Sequence, residues 1–227
     1  MNDHYRKNQQ EFHFSAISKN WLLQRLLPGA YILLLSLTAC SSQERTPEAS
    51  LTTIINERAL LSDKEKTFQL SAKYYLALQE LDPDNIDYHI GYIRALRNIR
   101  DELSFRNYIK AWGSGRPVSS KDSFIIEIVF TKLSFGWKTE AENFLEKNRT
   151  NISDPSQLFW LRGAINLQKE EFLLAEDNFK KCLWRDPQNE GCIFDYSLLL
   201  LKTNRTSELK EFLKGRNRLD LLDQLIE

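Results

Sequence analysis

Hydrophobic and polar positions divide this chain into three stretches. Residues 26–37 are almost continuously apolar, Leu-Leu-Pro-Gly-Ala-Tyr-Ile-Leu-Leu-Leu-Ser-Leu. Residues 41–50 are a polar run of Ser, Gln, Glu, Arg, Thr and Pro with no apolar period, which reads as a tether. From residue 51 onward, bulky and small residues recur at fixed offsets over a period of about 34 residues, the length range of a repeated helical hairpin. Helices are therefore expected throughout 51–227.

The clearest unit is 156–189, with Phe159, Gly163, Ala175, Phe179 and Pro187. Each offset has a physical reason. Gly163 on a first helix and Ala175 on a second let the two approach closely, Phe179 fills the space between them, and Pro187 ends the unit because it cannot continue a helix. Ala141 lies one period before Ala175, within Gly136-Trp137-Lys138-Thr139-Glu140-Ala141. Leu81-Asp82-Pro83-Asp84-Asn85 parallels Arg185-Asp186-Pro187-Gln188-Asn189 three periods and two residues earlier, and the loop Gly113–Pro117 absorbs the extra pair. The units are then 52–85 (Ala59, Ser71 and Tyr75 at its small and aromatic positions), a degenerate 86–121, 122–155, 156–189 and a short 190–214.

Punctuation fits these units. Ser62-Asp63-Lys64-Glu65 has the letters of a capping box. Asp154-Pro155 supplies an N-cap and a proline at the first helical position. Gly215 reads as a helix stop. Leu219, Leu222 and Ile226 have helical spacing and predict a terminal helix covering the open end of the array.

These offsets resemble the tetratricopeptide repeat. The resemblance implies an all-α helical-hairpin solenoid, wound as a right-handed superhelix, in which the first helices of the pairs line a groove that binds a protein segment. Carried over position by position, the groove comprises Ser123, Ile126 and Phe130, then Gln157, Trp160, Ala164 and Leu167, then Phe194, Leu198 and Leu201. This face is mostly apolar and suits an apolar partner segment. The same aromatic stripe at helical spacing equally describes ordinary core. Paired Lys/Arg of the kind that grip a terminal carboxylate are missing from it.

The apolar run at 26–37 is too short to span about 30 Å of hydrocarbon as a helix and has the length of a signal-peptide core. Lys19 and Arg25 precede it, and Leu37-Thr38-Ala39-Cys40 follows. This constellation resembles the lipobox of bacterial lipoproteins. It implies a signal peptide at 1–39, cleavage before Cys40, acylation of Cys40 (palmitate among the chains) and a lipidated tether over 40–50. The residue after the cysteine is Ser41, not Asp, which in Gram-negative members of that class implies sorting to the outer membrane, on its periplasmic face.

Composition narrows the functional classes. With only 8 glycines and 6 prolines in 227 residues, an all-β fold with its many tight turns is disfavoured. Formal net charge is 0, and residues 40–227 carry 27 basic and 29 acidic side chains. No positive field attracts nucleic acid, so nucleic-acid binding is not expected.

Candidate chemistry is sparse. Beyond residue 39 there is one histidine, His89, which reads as a partly buried structural residue rather than a catalyst. One His with Cys182 and Cys192 is short of a zinc site. No Gly-rich phosphate loop, HExxH or nucleophile elbow occurs. No catalytic residue, metal or cofactor is assigned, and the chain is not read as an enzyme. Cys182 and Cys192, ten positions apart across Pro187, either form a disulfide in an oxidising compartment or fill helix contacts as two small buried residues.

Lipobox and divergent repeats together resemble the pilotin-like assembly lipoproteins of tight-adherence (Flp) pilus systems. That resemblance implies a scaffold held at the membrane by its lipid, binding a secretin or another pilus or secretion component and assisting its assembly or localisation. The alternative is a lipoprotein adaptor for periplasmic cell-wall hydrolases or a protease.

Overall fold

The computed structural model describes residues 47–113 and 122–226. The signal peptide, Cys40, most of the tether and residues 114–121 lie outside the described residues. Among the described residues every regular element is a helix, and no helix is long and apolar enough to cross a membrane.

Eleven helices follow in order: α1 (Pro47–Lys64), α2 (Phe68–Leu81), α3 (Ile86–Asn98), α4 (Glu102–Gly113), α5 (Asp122–Ser134), α6 (Lys138–Asn148), α7 (Pro155–Gln168), α8 (Phe172–Arg185), α9 (Glu190–Lys202), α10 (Thr206–Lys214) and α11 (Asp220–Ile226). Within the unit Leu51–Glu227, the odd helices α3, α5, α7 and α9 pack side by side in sequence, and each is also packed on the even helix that follows it. The result is two layers of helices with a core between them. That core forms three successive clusters along the array, around Ile90, Ile93 and Phe105, around Ile125, Val129 and Leu145, and around Phe179, Leu199 and Leu209.

The repeat is written most plainly in the backbone. Lys66, Arg100, Gly136, Glu170 and Asn204 take positive φ values of 58°, 60°, 80°, 65° and 59°. They are spaced by 34, 36, 34 and 34 residues. At each, the next residue donates its N–H to the carbonyl five back: Thr67 to Ser62 (2.9 Å), Asp101 to Leu96 (3.0 Å), Trp137 to Lys132 (2.9 Å), Glu171 to Asn166 (2.9 Å) and Arg205 to Leu200 (2.8 Å). This is the Schellman closure, which satisfies the last carbonyls of one helix and reverses the chain into the next. The single longer interval, between Arg100 and Gly136, contains residues 113–117, where the sequence places the extra pair.

Four of the five stops use an L-residue where glycine is strain-free. Arg100 has compensation, since its guanidinium reaches the carbonyl of Ser134 at 2.8 Å. The exposed Glu170 has no recorded side-chain bond. Glu170→Gly is therefore expected to raise stability by about 0.5–1 kcal/mol, the relief of left-handed strain outweighing glycine's greater unfolded-state entropy. A denaturation midpoint that moves down, at unchanged slope, would contradict this.

The loops Asp82–Asn85 and Asp186–Asn189 are geometric copies. Asp82 and Asp186 donate back to Leu78 and Cys182, both at 2.9 Å. The side chains of Asn85 and Asn189 then cap α3 and α9 by accepting from the N–H of Asp87 and Cys192. Asp154 caps α7 through Ser156 N–H, with Pro155 at the first helical position.

Two sequence expectations are corrected, and one is refined. Ser62–Glu65 starts no helix: it forms the last turn of α1 and its exit, and α2 begins at Phe68. Its Asp63 carboxylate instead accepts hydrogen bonds from the hydroxyls of Ser71 and, at 2.8 Å, Tyr75, pinning α2 to α1. Gly215 follows Lys214 as the C-cap of α10, where the sequence puts the helix stop, but it is not left-handed. It has ordinary helical φ of −62°, and Asn217 at φ 54° makes the reversal two residues later. In the terminal helix α11, buried Leu221 enters the core with Leu222 packed beside it, while Leu219 stays half exposed.

Candidate functional site

The sequence-predicted groove residues fall on the layer of odd helices, where α5, α7 and α9 lie side by side. Phe130 of α5 meets Trp160 of α7, their ring centroids 5.0 Å apart and planes tilted by 46°. The Trp160 indole extends onto α9. A Cβ at Gly191 would stand 2.2 Å from Trp160 Cζ2, so only glycine lets the ring lie on the helix backbone there. One turn further along α9, Asp195 Oδ2 accepts the indole Nε1–H at 2.6 Å. Burial pushes the Asp195 carboxyl up to about 6, against the opposing pull of the indole hydrogen bond. Phe194 is 40% exposed beside it, and Leu198 is half-buried one turn on.

The predicted residues thus separate. Ile126, Phe130, Trp160, Phe194 and Leu198 retain surface. Ala164 and Leu167 do not, being 4% and 3% exposed. Leu167 is drawn into the cluster of Ala175, Phe179, Leu199 and Leu200, because α8 and α9 close over that end of α7; Ala164 packs with Ile125, Val129 and Leu161. Both are corrected from groove to core. Gly191 and Asp195 complete the site and escaped the sequence reading. Their signal is faint: a glycine and an acid four apart on one helix mean nothing until Trp160 is placed over them.

His89 is buried. Its Nε2 donates to the Pro83 carbonyl at 2.8 Å and its Nδ1 accepts from the Tyr108 hydroxyl, with the Trp112 ring edge-on at 4.3 Å. It ties the α2–α3 loop to α3 and α4. Cys182 of α8 and Cys192 of α9 are joined as a disulfide, Cα atoms 6.5 Å apart.

Elsewhere, buried or half-buried acids have their own counter-charges. Glu127 pairs with Arg97 at 2.8 Å and Arg94 at 3.4 Å. Glu176 meets Arg205 at 2.7 Å and Lys180 at 2.6 Å under the Tyr196 hydroxyl. The Arg205 guanidinium, more than any other group, holds the Glu176 carboxyl down at about 2. Its unfolded value lies near 4.5. The ion pair therefore stabilises the fold fully above that value, and its contribution disappears as pH falls from there towards 2. A loss of about 1–2 kcal/mol over this window is expected, and Glu176→Gln should remove that part of the acid dependence in melts taken at stepped pH.

A cleft of about 230 Å³ opens between α6, α7 and α8, but its charges are internally satisfied, Glu146 by Arg162 at 2.9 Å and Glu142 by Lys169 at 2.7 Å. On the layer of even helices α8 exposes Leu173 (85%) and Trp184 (80%) on one face.

Comparison with known protein families, curated proteins and solved structures finds no match.

Proposed function

We propose that this chain is a tetratricopeptide-like scaffold, anchored by lipid at Cys40 to the periplasmic face of the bacterial outer membrane, whose layer of odd helices binds a segment of a partner protein. The partner proposed is a secretin or another component of a tight-adherence-type pilus or secretion system, whose assembly or localisation the scaffold assists. The reading assigns it no turnover.

The observation that carries the binding role lies on α5, α7 and α9. Phe130, Trp160, Phe194 and Leu198 on these helices keep surface exposed, with Phe130 against Trp160. They are built on hairpins whose stops recur every 34–36 residues. Helical layers of this kind present extended partner-binding surfaces, and aromatic anchors dominate such contacts. The lipobox residues Leu37–Cys40 support the anchor and, through Ser41, the outer-membrane address.

The test is in-cell photocrosslinking from residue 194, followed by purification of the tagged chain and mass spectrometry, with Cys40→Ala as the unanchored control. Recovery of a secretin or other pilus component, mislocalised in the control, is the expected result. Recovery of cell-wall hydrolases or a protease instead would replace the pilus assignment by the adaptor reading. A control that remains in the membrane fraction would remove the lipid anchor.

A further inference from the structure

Asp195 differs from the other enclosed acids of this fold. Glu127 has two arginines against it, and Glu176 has an arginine and a lysine. Asp195 is half-buried between α7 and α9, yet among the described residues the one polar group bonded to it is the neutral indole N–H of Trp160. Desolvating a carboxylate without an opposite charge is costly, and folds normally avoid it by pairing. The surroundings are also suited to a cation. The Trp160 ring bonded to Asp195 also stands 5.0 Å from the Phe130 ring, and aromatic faces attract cations.

We infer that Asp195, with Trp160 and Phe130, forms a subsite that takes a lysine or arginine side chain of the partner segment bound on this face. This rests on the binding role proposed above and makes it more specific. The charge argument asks for a basic group, because the carboxylate has an acceptor oxygen beyond the one that holds the indole. The apolar neighbours Ile126, Phe194 and Leu198 ask for more than a free cation, which would leave them uncovered. A peptide segment with one basic residue among apolar ones covers both. Gly191 has a part in the specificity, since a side chain there would displace the Trp160 ring from over Asp195.

The test uses the full chain in mild detergent, panned with a displayed library of random dodecamer peptides. Binding of the selected peptides is then compared on the unaltered chain, on Phe194→Ala and on Asp195→Asn. Asparagine keeps an acceptor for the indole, so the fold is retained, and unchanged thermal melting checks this. The expected result is enrichment of Lys or Arg flanked by apolar residues. Such peptides should bind Asp195→Asn about tenfold or more weakly. Replacing the peptide's Lys by norleucine should cost the same on the unaltered chain and nothing further on Asp195→Asn. That peptide-side change reads the contact without altering the protein at all. Peptides that depend on Phe194 but bind equally with and without the Asp195 charge would overturn the subsite and leave the groove standing. Peptides that ignore Phe194, or no selected peptides, would overturn both.

Discussion

Truncation of Phe179 to alanine is expected to destabilise the C-terminal half of the array by about 3–5 kcal/mol. Its ring is fully buried in a cluster contributed by α7, α8, α9 and α10, so no solvent-facing collapse can fill the hole. The ring is also held from the other side: a Cβ on Gly163 would lie 2.4 Å from Phe179 Cε1 and 2.6 Å from Cδ1. Gly163→Ala therefore acts through the opposite fault, overpacking, at about 1–3 kcal/mol. Because both changes act on one contact, they should not add. Gly163→Ala should cost less in a Phe179→Leu background, where the ring that it strikes is gone. In an array that contacts mainly nearest neighbours, the damage stays local. Hydrogen exchange should show α7 and α8 opening at lower free energy than α3 and α5, and a uniform loss of protection across all helices would refute the array picture. Urea titration of the single and double variants gives the energies.

The Gly163–Phe179 contact is also the part of the fold that the sequence stated best. Small residue, aromatic and Pro187 occur at offsets that packing demands, and each is where those offsets put it. The loops at Pro83 and Pro187 were legible for the same reason, being closed by local Asp and Asn bonds that require no distant partner. The hairpin stops were not legible residue by residue. Lys66, Arg100, Glu170 and Asn204 have no intrinsic claim to a left-handed conformation beyond Asn's mild tolerance, and it is the packing of consecutive helices that forces them into it. Ser62–Glu65 shows the converse. Its letters fit a capping box, but Asp63 meets Ser71 and Tyr75 across the turn, and tertiary bonding overrode the local pattern.

The candidate site was half legible. The repeat resemblance located Ile126, Trp160 and Phe194, which lie 34 residues apart and occupy equivalent positions on successive odd helices, together with Phe130 one turn beyond Ile126. It could not distinguish Trp160 from Leu167 by exposure, since that depends on where α8 and α9 close. Nor could it find Asp195, whose role exists only because Trp160 crosses to the next odd helix over Gly191. Contacts of this kind run between repeats. A pattern that is read within a repeat is blind to them.

Reduction of the Cys182–Cys192 bond is expected to lower stability by about 2–3 kcal/mol, the loop-closure effect of a loop of this length. The bond staples the end of α8 to the first turn of α9, across the Pro187 loop and next to the Asn189 cap. That places it one turn from Asp195, so it also fixes the helix on which the aromatic–acid cluster is built. Melting with and without a thiol reductant, beside a Cys182→Ala/Cys192→Ala variant, measures the contribution. The reduced chain should match the variant in whether reductant affects it further, which separates loss of the bond from the packing change. The redox state inside cells carries a second consequence. Both cysteines are fully buried, and an enclosed disulfide persists where the compartment is oxidising and is rare where thiols are kept reduced. Alkylation of freshly lysed cells that finds both thiols blocked would place the folded domain beyond the cytoplasm, in agreement with the lipobox. Free thiols in the native chain would remove that support for export and leave Cys40 to carry it alone.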